Sequence, residues 1–530
     1  MTGRLCMLLV ATLAIVVTPG YGAGADPRHD AVVEVQIDPA TAGPGIDPNI
    51  FGQFAEHLGA GIYGGIWVGR DSSIPNVRGI RSDVVGALRA LHVPNVRWPG
   101  GCFADEYHWR DGVGASQQRK VTLNSNWGGS VEPNAFGSDE FMDFIEQIGS
   151  EAYLSINVGS GTPREAADWL AYLTAPVSTS AGQERAGNGH AAPYRIKFLG
   201  IGNESWGCGG AMSPEYYLNQ LKIYSRFVRN FNPLQSGDQT MRRIAVGADG
   251  ADTSYVEADM HAWHDRVWSW SFEGLSLHSY TSAGWPPAHP SEHFDEREYA
   301  LFLKDTLGMD ALIGKHSALM DRYDPDRKVA LAVDEWGVWL APLPGSNPGF
   351  LVQQNSLRDG IVAALNLNIF ARHAERVRMA NIAQMVNVLQ SMIITQNDRM
   401  VLTPTYHVFR MYVPFQNAQR IAVRLDAGVY AHDGIVLPRL DALAAVDAQH
   451  RIWLAVVNLD PTREAPLAIA AGQGHAHSAK GEVLTAQRVD SVNSFAAPDA
   501  VAPRPIAATL EAGKLMLLLP AKSVAVVQIQ

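Results

Sequence analysis

The segments IKFLGIGNE (196–204) and VALAVDEW (329–336) each run through apolar residues and then reach a carboxylate. Six further short apolar runs, which carry polar residues toward their ends, lie at residues 50–57, 93–101, 152–159, 243–250, 274–280 and 378–387. The stretches between them carry apolar residues at three- and four-residue spacing, which indicates amphipathic helices. Strands alternating with such helices are typical of a parallel sheet covered on both faces. Eight strand–helix units predict an α/β fold, a (β/α)8 TIM barrel.

The polar residues of these runs gather at the C-terminal ends of the strands. They are Glu56, Arg97, Asn157, Asn203, Glu204, Asp249, His278, Tyr280, Glu335 and Gln384. The middle of a barrel strand has to be apolar, whereas its C-terminal end opens into the loop-lined face that carries chemistry. A doubly wound open sheet is the alternative fold, but its site lies at one switch point and does not require polar residues on every strand.

The first 25 residues differ from the rest. Arg4 precedes an apolar run over residues 5–17, and Ala23-Gly24-Ala25 has the small-x-small form of a cleavage site. This pattern predicts a signal peptide, because the run is too short to cross about 30 Å of hydrocarbon. A buried N-terminal helix is the alternative. We therefore expect an exported protein, periplasmic or extracellular, with no membrane contact after the signal is removed.

The pattern of apolar and polar residues changes again after residue 413. RLDALAAVDA (439–448), RIWLAVVNLD (451–460) and KSVAVVQIQ (522–530) alternate in period two, which predicts an antiparallel β-sandwich. AVVEVQID (31–38) has the same texture and is expected to add a strand to it. The predicted organisation is a signal peptide (1–25), an N-terminal strand segment (26–48), a barrel (49–413) and a C-terminal β-sandwich (414–530).

Composition excludes several classes of function. The chain has 530 residues, 47% of them hydrophobic, which is unlike a disordered or low-complexity protein. Its 42 Lys and Arg residues against 53 Asp and Glu residues give a net charge of −11. Such a chain has no electrostatic reason to bind nucleic acid. No Cys and His spacing resembles a zinc site, so we predict no metal and no cofactor. The sequence leaves open whether the protein forms a homo-oligomer.

Two carboxylates carry the predicted chemistry. Glu204 ends the fourth predicted strand and Glu335 the seventh, positions that face each other across the mouth of an eight-stranded barrel. Glycoside hydrolysis requires two such acids, one protonated and one ionised. The charge of Glu335 and burial near Trp206 would keep Glu204 protonated. Arg97 could hold Glu335 as an anion.

A further hydrogen bond to Glu335 is expected from His278 or Tyr280. Asn and Asp before such acids are also common helix N-caps, so each pair alone is a weak signal. The pairs on strands four and seven together favour catalysis.

At this point the sequence resembles a known family, the α-L-arabinofuranosidases of glycoside hydrolase family 51. The similarity runs from about residue 50 to the C-terminus. It rests on FGQFAEHLG (51–59), VRWPGGCFADEYHWRDGVG (96–114), GIGNESWG (200–207), SLHSYT (276–281), VDEWGVW (333–339) and NIAQMVNV (381–388). Members of the family are retaining enzymes with a barrel and a jelly-roll-like C-terminal domain. The resemblance implies that Glu204 is the general acid/base and Glu335 the nucleophile.

The resemblance also implies binding roles. Glu56 is similar to the residue that hydrogen-bonds outer hydroxyls of the furanose, and Asn203 to the partner of its 2-hydroxyl. Trp127 resembles an aromatic platform beside the site. The family's strand-end arginine, and the residues that orient the nucleophile and the sugar, correspond to Arg97, His278, Tyr280 and Gln384.

One residue departs from the family pattern. Many members have an Asn that touches the sugar after the Pro-Gly-Gly turn, where this chain has Cys102. A thiol cannot make the two hydrogen bonds of an amide. We hypothesise that Cys102 forms a disulfide with Cys208, and two free thiols are the alternative.

The resulting expectation is a retaining exo-glycosidase. It would release α-L-arabinofuranosyl residues from oligosaccharides or plant polysaccharides such as arabinan or arabinoxylan. Another retaining glycosidase on the same scaffold, an endo-glucanase or a β-xylosidase, is the nearest alternative, because the fold and the carboxylates do not set the sugar. A catalytically inactive carbohydrate-binding protein is the alternative of another class.

Overall fold

The computed structural model describes residues 31–472 and 476–530. The predicted signal peptide therefore lies outside the described residues. Among the described helices, none combines the length and the apolar character that a membrane span requires.

Eight parallel strands close into a barrel. They are β1 (Gly52–Phe54), β2 (Asn95–Trp98), β3 (Glu151–Ile156), β4 (Ile196–Ile201), β5 (Arg242–Asp249), β6 (Gly274–Thr281), β7 (Ala330–Val338) and β8 (Val377–Ile382). Each strand pairs with the next along the chain, and β8 pairs with β1 to complete the ring. The predicted TIM barrel is confirmed.

Helices cover the outside of this barrel. They are α1 (Ser82–Ala90), α2 (Ser138–Ile148), α3 (Pro163–Thr174), α4 (Ser180–Gly187), α5 (Pro214–Phe227), α6 (Ser254–His264), α7 (Glu296–Tyr323), α8 (Leu357–Arg372) and α9 (Pro404–Tyr412). Their starts follow local sequence. Thr162 and Ser213 cap the free N–H groups that begin α3 and α5, each with proline at the first helical position.

The barrel interior is filled below the face that carries the site. Five side chains from different strands form one layer there: Tyr153, Phe198, Ile244, Ala332 and Met379. A layer of this kind makes the barrel a packed core rather than a pore. Chemistry is therefore confined to the C-terminal ends of the strands above it.

The C-terminal part of the chain is an all-β domain, as predicted. The strands of its large sheet are β9 (Gln419–Leu425), β10 (Leu440–Val446), β11 (Ile452–Asn458), β12 (Ala465–Ala471), β13 (Ala479–Leu484), β14 (Arg504–Ala507), β15 (Thr509–Glu511), β16 (Lys514–Leu519) and β17 (Ser523–Ile529). The strand Val33–Gly45 lies between β9 and β12, so that ten strands form one hydrogen-bonded sheet.

Period-two alternation explains how this sheet is buried. In β11, Leu454 and Val456 join the core of the all-β domain, while Ala455 and Val457 pack into the hydrophobic cluster of the barrel. Successive residues of a strand face opposite sides, so the sheet contacts its own core with one face and the barrel with the other. The domain boundaries drawn from the sequence stay a prediction.

Candidate active site

The barrel brings Glu204 and Glu335 together. Glu204 lies in the loop after β4 and Glu335 near the end of β7. A carboxyl oxygen of each and a ring nitrogen of His278 all lie within 4.8 Å of one another. Retaining glycosidases need carboxyl groups only about 5–5.5 Å apart, whereas inverting enzymes need room for a water between them. This spacing therefore fits a double displacement.

Two hydrogen bonds hold the Glu335 carboxyl in one orientation. Arg97 donates from Nη1 to Oε1 over 2.6 Å, and the Tyr280 hydroxyl donates to Oε2 over 2.8 Å. The Glu335 side chain is only 7% exposed. Charge-assisted hydrogen bonds to a buried carboxylate are short and strong, so they fix its direction as well as its charge. Arg97 also donates from Nη2 to Asn203 Oδ1 over 2.6 Å, which leaves the Asn203 amide N–H groups for other partners.

Sequence reasoning did not assign a role to Asp334. Its carboxylate accepts from the Tyr153 hydroxyl at 2.6 Å and lies 3.3 Å from His278 Nε2 and 3.7 Å from Arg97 Nε. Burial by itself raises the pKa of Asp334, but Arg97, His278 and Tyr153 outweigh it and lower that pKa. A charged residue inside an otherwise apolar strand was the available signal.

Glu204 is placed to hold a proton. Its Oε1 lies 2.8 Å from His278 Nδ1. Burial raises the pKa of Glu204, the contact with His278 opposes this, and the charge of Glu335 raises it further. For His278, burial lowers the pKa, but Glu335, Asp334 and Glu204 together raise it to about 10.

The carboxyls of Asp334 and Glu335 lie beside the guanidinium of Arg97 and the ring of His278. Burial and then the charge of Glu335 raise the pKa of Glu56 to about 7.

A small cavity of about 30 Å³ lies over these groups. Glu56 anchors one side of it, because Phe103 N–H donates to Oε1 over 3.0 Å and Gln384 Nε2 donates to Oε2 over 3.1 Å. Gln384 Oε1 is buried and has no hydrogen-bond partner among the described residues. The other lining residues include the predicted Trp127, Cys102 and Tyr280, together with Trp339 and Leu351, which sequence reasoning missed.

A wider cleft of about 570 Å³ adjoins this cavity. Glu204, Tyr280 and Cys102 line both spaces, so the acid/base candidate lies at their junction. Trp206, Trp285 and Trp339 also line the cleft. Trp285 is 71% exposed and meets the edge of Trp339 at 5.2 Å between ring centroids. Exposed indole faces of this kind suit the apolar faces of sugar rings.

Cys102 and Cys208 lie within bonding distance, with their sulfur atoms 2.10 Å apart. Of the two alternatives left open by the sequence, the structure therefore has the disulfide. Cys102 retains its place in the wall of the small cavity.

Among the residues that the structure describes, two groups of side chains have ligand atoms close enough for a metal ion. One is Glu204, His278 and Glu335, and the other is Cys102, Glu204 and Cys208. The second group offers no thiolate, because its two sulfur atoms are bonded to each other. In the first group, the hydrogen bonds described above already engage the ligand atoms. Metal independence stays a prediction.

Comparison with known proteins identifies the family. A family model described as "Alpha-L-arabinofuranosidase 1 domain" matches residues 87–279, which include Glu204. A second family model, described as "Alpha-L-arabinofuranosidase C-terminal domain", matches residues 334–523, which include Glu335. A Bacteroides ovatus protein named intracellular exo-alpha-L-arabinofuranosidase is 41% identical over 527 residues, 99% of each chain.

Solved structures agree with this. The crystal structure of the GH51 arabinofuranosidase from Xanthomonas axonopodis pv. citri is 47% identical, with a TM-score of 0.90 over 94% of this chain and 100% of that one. The α-L-arabinofuranosidase from Thermotoga maritima in its arabinose complex is 29% identical, with a TM-score of 0.79 over 94% and 99% of the two chains. This chain belongs to the α-L-arabinofuranosidases of glycoside hydrolase family 51, and the prediction of that enzyme class is confirmed.

The prediction of export is wrong. The Bacteroides ovatus relative that aligns over 99% of both chains is named intracellular. An apolar run as short as residues 5–17 is typical of a buried core helix as well as of a signal peptide, so the sequence pattern did not discriminate between them. The segment itself lies outside the described residues.

Proposed function

We propose that Glu335 is the nucleophile and Glu204 the general acid/base of an exo-acting retaining α-L-arabinofuranosidase. The observation that carries this proposal is the pair of carboxyl oxygens within 4.8 Å at the ends of β4 and β7. Their environments differ in the direction that double displacement needs, because Arg97 and Tyr280 hold Glu335 while burial raises the pKa of Glu204.

In the first step, Glu335 Oε attacks the anomeric carbon and the glycosidic bond breaks. Glu204 gives its proton to the departing oxygen, so the leaving group departs as an alcohol. Arg97 and Tyr280 hold the attacking carboxylate in one orientation before the bond forms. The positive charge that develops on the sugar is stabilised by the buried anions Glu335 and Asp334.

In the second step, Glu204 is ionised and acts as a base. It removes a proton from a water molecule that attacks the anomeric carbon, and the ester bond to Glu335 breaks. The α configuration is restored because two inversions have taken place. His278 contacts Glu204 Oε1 and supports both of its protonation states, since it is a donor to the carboxylate.

The two adjoining spaces support exo action. One terminal furanose would bind where the small cavity opens into the wider cleft, with Glu56, Gln384 and Asn203 on its hydroxyls and Trp127 beside it. The wider cleft with its tryptophans would take the rest of the substrate. Arabinan or arabinoxylan side chains are the substrates proposed, and an arabinofuranosyl saccharide is the proposed partner. The oligomeric state remains a prediction.

Substrate assays separate this function from its alternatives. Hydrolysis of nitrophenyl α-L-arabinofuranoside, with no cleavage of cellooligosaccharides or nitrophenyl β-xyloside, is expected. An endo-glucanase or β-xylosidase would give the opposite preference. Glu335→Ala should lower kcat by about 10⁴-fold or more, whereas no change would indicate an inactive binding protein.

A further inference from the structure

One short turn contacts the acid/base loop in two places. This turn, residues 102–105, follows β2, and the acid/base loop, residues 203–209, follows β4. At one end of the turn, Cys102 is bonded to Cys208. At the other end, Asp105 Oδ2 accepts the backbone N–H of Asn203 over 3.1 Å. Glu204 therefore lies between two residues of its loop, Asn203 and Cys208, that are each joined to this turn.

The Asp105 carboxylate is fully engaged and enclosed. Its Oδ1 accepts the N–H groups of Val158 and Gly159, each over 2.7 Å, so that it joins the ends of three barrel strands. The residue is 4% exposed. A side chain on Gly209 would meet Asn203 O at 1.8 Å and Asp105 Oδ2 at 2.9 Å, so this packing requires glycine there.

The backbone of Glu204 needs such support. Its φ is 39°, in the left-handed region that residues other than glycine adopt at a cost of about 1–3 kcal/mol. The N–H groups of Gly207 and Gly209 donate to Glu204 O over 2.7 and 3.1 Å. A strained residue keeps its conformation only where its surroundings over-determine it, and here Asp105 and the disulfide supply the contacts from outside the loop.

The disulfide also contacts the reactive carboxyl itself. Glu204 Oε1 is taken by His278, so Oε2 is the oxygen left to carry the proton. Sγ of Cys208 lies 3.4 Å from Oε2 and Sγ of Cys102 lies 3.9 Å from it. Neither sulfur of a disulfide carries a proton, so the disulfide packs against Oε2 without donating a hydrogen bond to it.

We propose that Asp105 and the Cys102–Cys208 disulfide are positioning residues that together clamp the acid/base Glu204. They touch no reacting atom of the substrate in this role. The clamp sets where the proton of Glu204 is delivered, and a misplacement of about 1 Å can cost about 100-fold in rate. This inference rests on the proposed role of Glu204.

Dependence on the leaving group tests the clamp. A dinitrophenyl arabinofuranoside needs little protonation to depart, whereas an alkyl arabinofuranoside needs Glu204 as an acid. Asp105→Asn should lower kcat/KM for the alkyl substrate by about 10-fold or more and leave kcat/KM for the dinitrophenyl substrate within about 2-fold. An equal loss on both substrates, or no loss on either, would overturn the proposal.

The disulfide is tested on the same two substrates. Cys102→Ser with Cys208→Ser, and the native enzyme reduced by a phosphine, should both lose more kcat/KM on the alkyl substrate than on the dinitrophenyl substrate. Unchanged ratios in both would overturn its part in the clamp. Asp460→Asn is the matched control, because this buried carboxylate accepts the N–H groups of Thr462 and Arg463 in the all-β domain.

Glu204→Ala separates the two levels of inference. If it shows the selective loss and Asp105→Asn does not, the clamp fails and the acid/base assignment stands. If Glu204→Ala itself shows no dependence on the leaving group, the proposed function of Glu204 fails.

Discussion

Arg97 and Glu335, separated by 238 residues in sequence, meet in a buried ion pair with Nη1 and Oε1 2.6 Å apart. Arg97 Nη2 also donates to Asn203 Oδ1, the residue before Glu204. One guanidinium therefore joins Glu335 on β7 to the loop after β4 that carries Glu204, the two proposed catalytic residues. The planar guanidinium of arginine can donate to Glu335 and to Asn203 at once, whereas the single ammonium group of lysine cannot.

Arg97→Lys is expected to lower kcat by about 10–100-fold, because one lysine cannot satisfy both Glu335 and Asn203, and hydrogen bonds to charged groups contribute about 1.5–3 kcal/mol. Steady-state kinetics on nitrophenyl arabinofuranoside measures it. Arg119→Lys is the control, since Arg119 forms a comparable double contact with Glu140 away from the site. If both variants lose activity equally, the Arg97 contact has no specific catalytic role.

Tyr280→Phe removes the donor to Glu335 Oε2 and keeps the ring in the cavity wall. A loss of kcat of about 10-fold is expected, with the melting temperature nearly unchanged, because the nucleophile loses one of its two oriented contacts. Tyr430→Phe is the control, since that hydroxyl donates to Glu296 outside the site. Full activity in Tyr280→Phe would show that Arg97 alone orients the nucleophile.

Activity should depend on pH in a defined direction. The acid form of Glu204 is required for the first step, and burial raises its pKa, so kcat/KM falls as pH rises through that raised pKa. Glu204→Gln should remove the alkaline limb for an activated substrate. A profile with the alkaline limb unchanged in this variant would assign the limb to another group.

Stability should also depend on pH through Glu56. Its pKa is about 7 in the folded protein against 4.5 as an ordinary glutamate, so the folded state binds more protons between these values. The contribution of Glu56 is therefore fully present below about pH 4.5 and is lost as pH rises through about 7. The free energy of unfolding should fall with rising pH by about 2 kcal/mol less in Glu56→Gln than in the native enzyme.

Denaturant titrations at pH 5 and pH 8 measure this decline. Glu34→Gln is the control, because Glu34 pairs with Lys514 on the exposed surface of the all-β domain. A decline of the same size in Glu56→Gln and in the native enzyme would contradict the linkage to Glu56.

Chelation tests metal independence. Prolonged dialysis against EDTA should leave kcat on nitrophenyl arabinofuranoside unchanged, because ion pairs and hydrogen bonds already engage Glu204, His278 and Glu335. A loss restored by one divalent cation would contradict this and point to those three side chains as ligands.

Much of the barrel could be predicted from sequence. Strands with continuous apolar runs and polar C-terminal ends fix the strand order, and strands four and seven then have to face each other across the mouth. The all-β domain follows from period-two alternation. The proximity of Glu204 to Glu335 follows from this topology, although the distance between them does not.

Asp334 could not be predicted, because consecutive strand residues normally face opposite sides. The register between β6 and β7 shifts between Ser276 and His278, and that between β7 and β8 shifts between Val333 and Trp336. Such irregularities redirect side chains, so that Asp334 and Glu335 both lie within 4 Å of Arg97. The role of Asp105 depends on backbone N–H groups of two other loops, which no residue pattern indicates.

Trapping of a covalent glycosyl–enzyme tests the central claim most directly. A 2-fluoro arabinofuranosyl donor slows the second step, and peptide mass spectrometry locates the sugar. The account predicts one arabinosyl adduct on the peptide that contains Glu335, and none in Glu335→Ala. An adduct on another residue, or turnover with no adduct and inverted product, would contradict it.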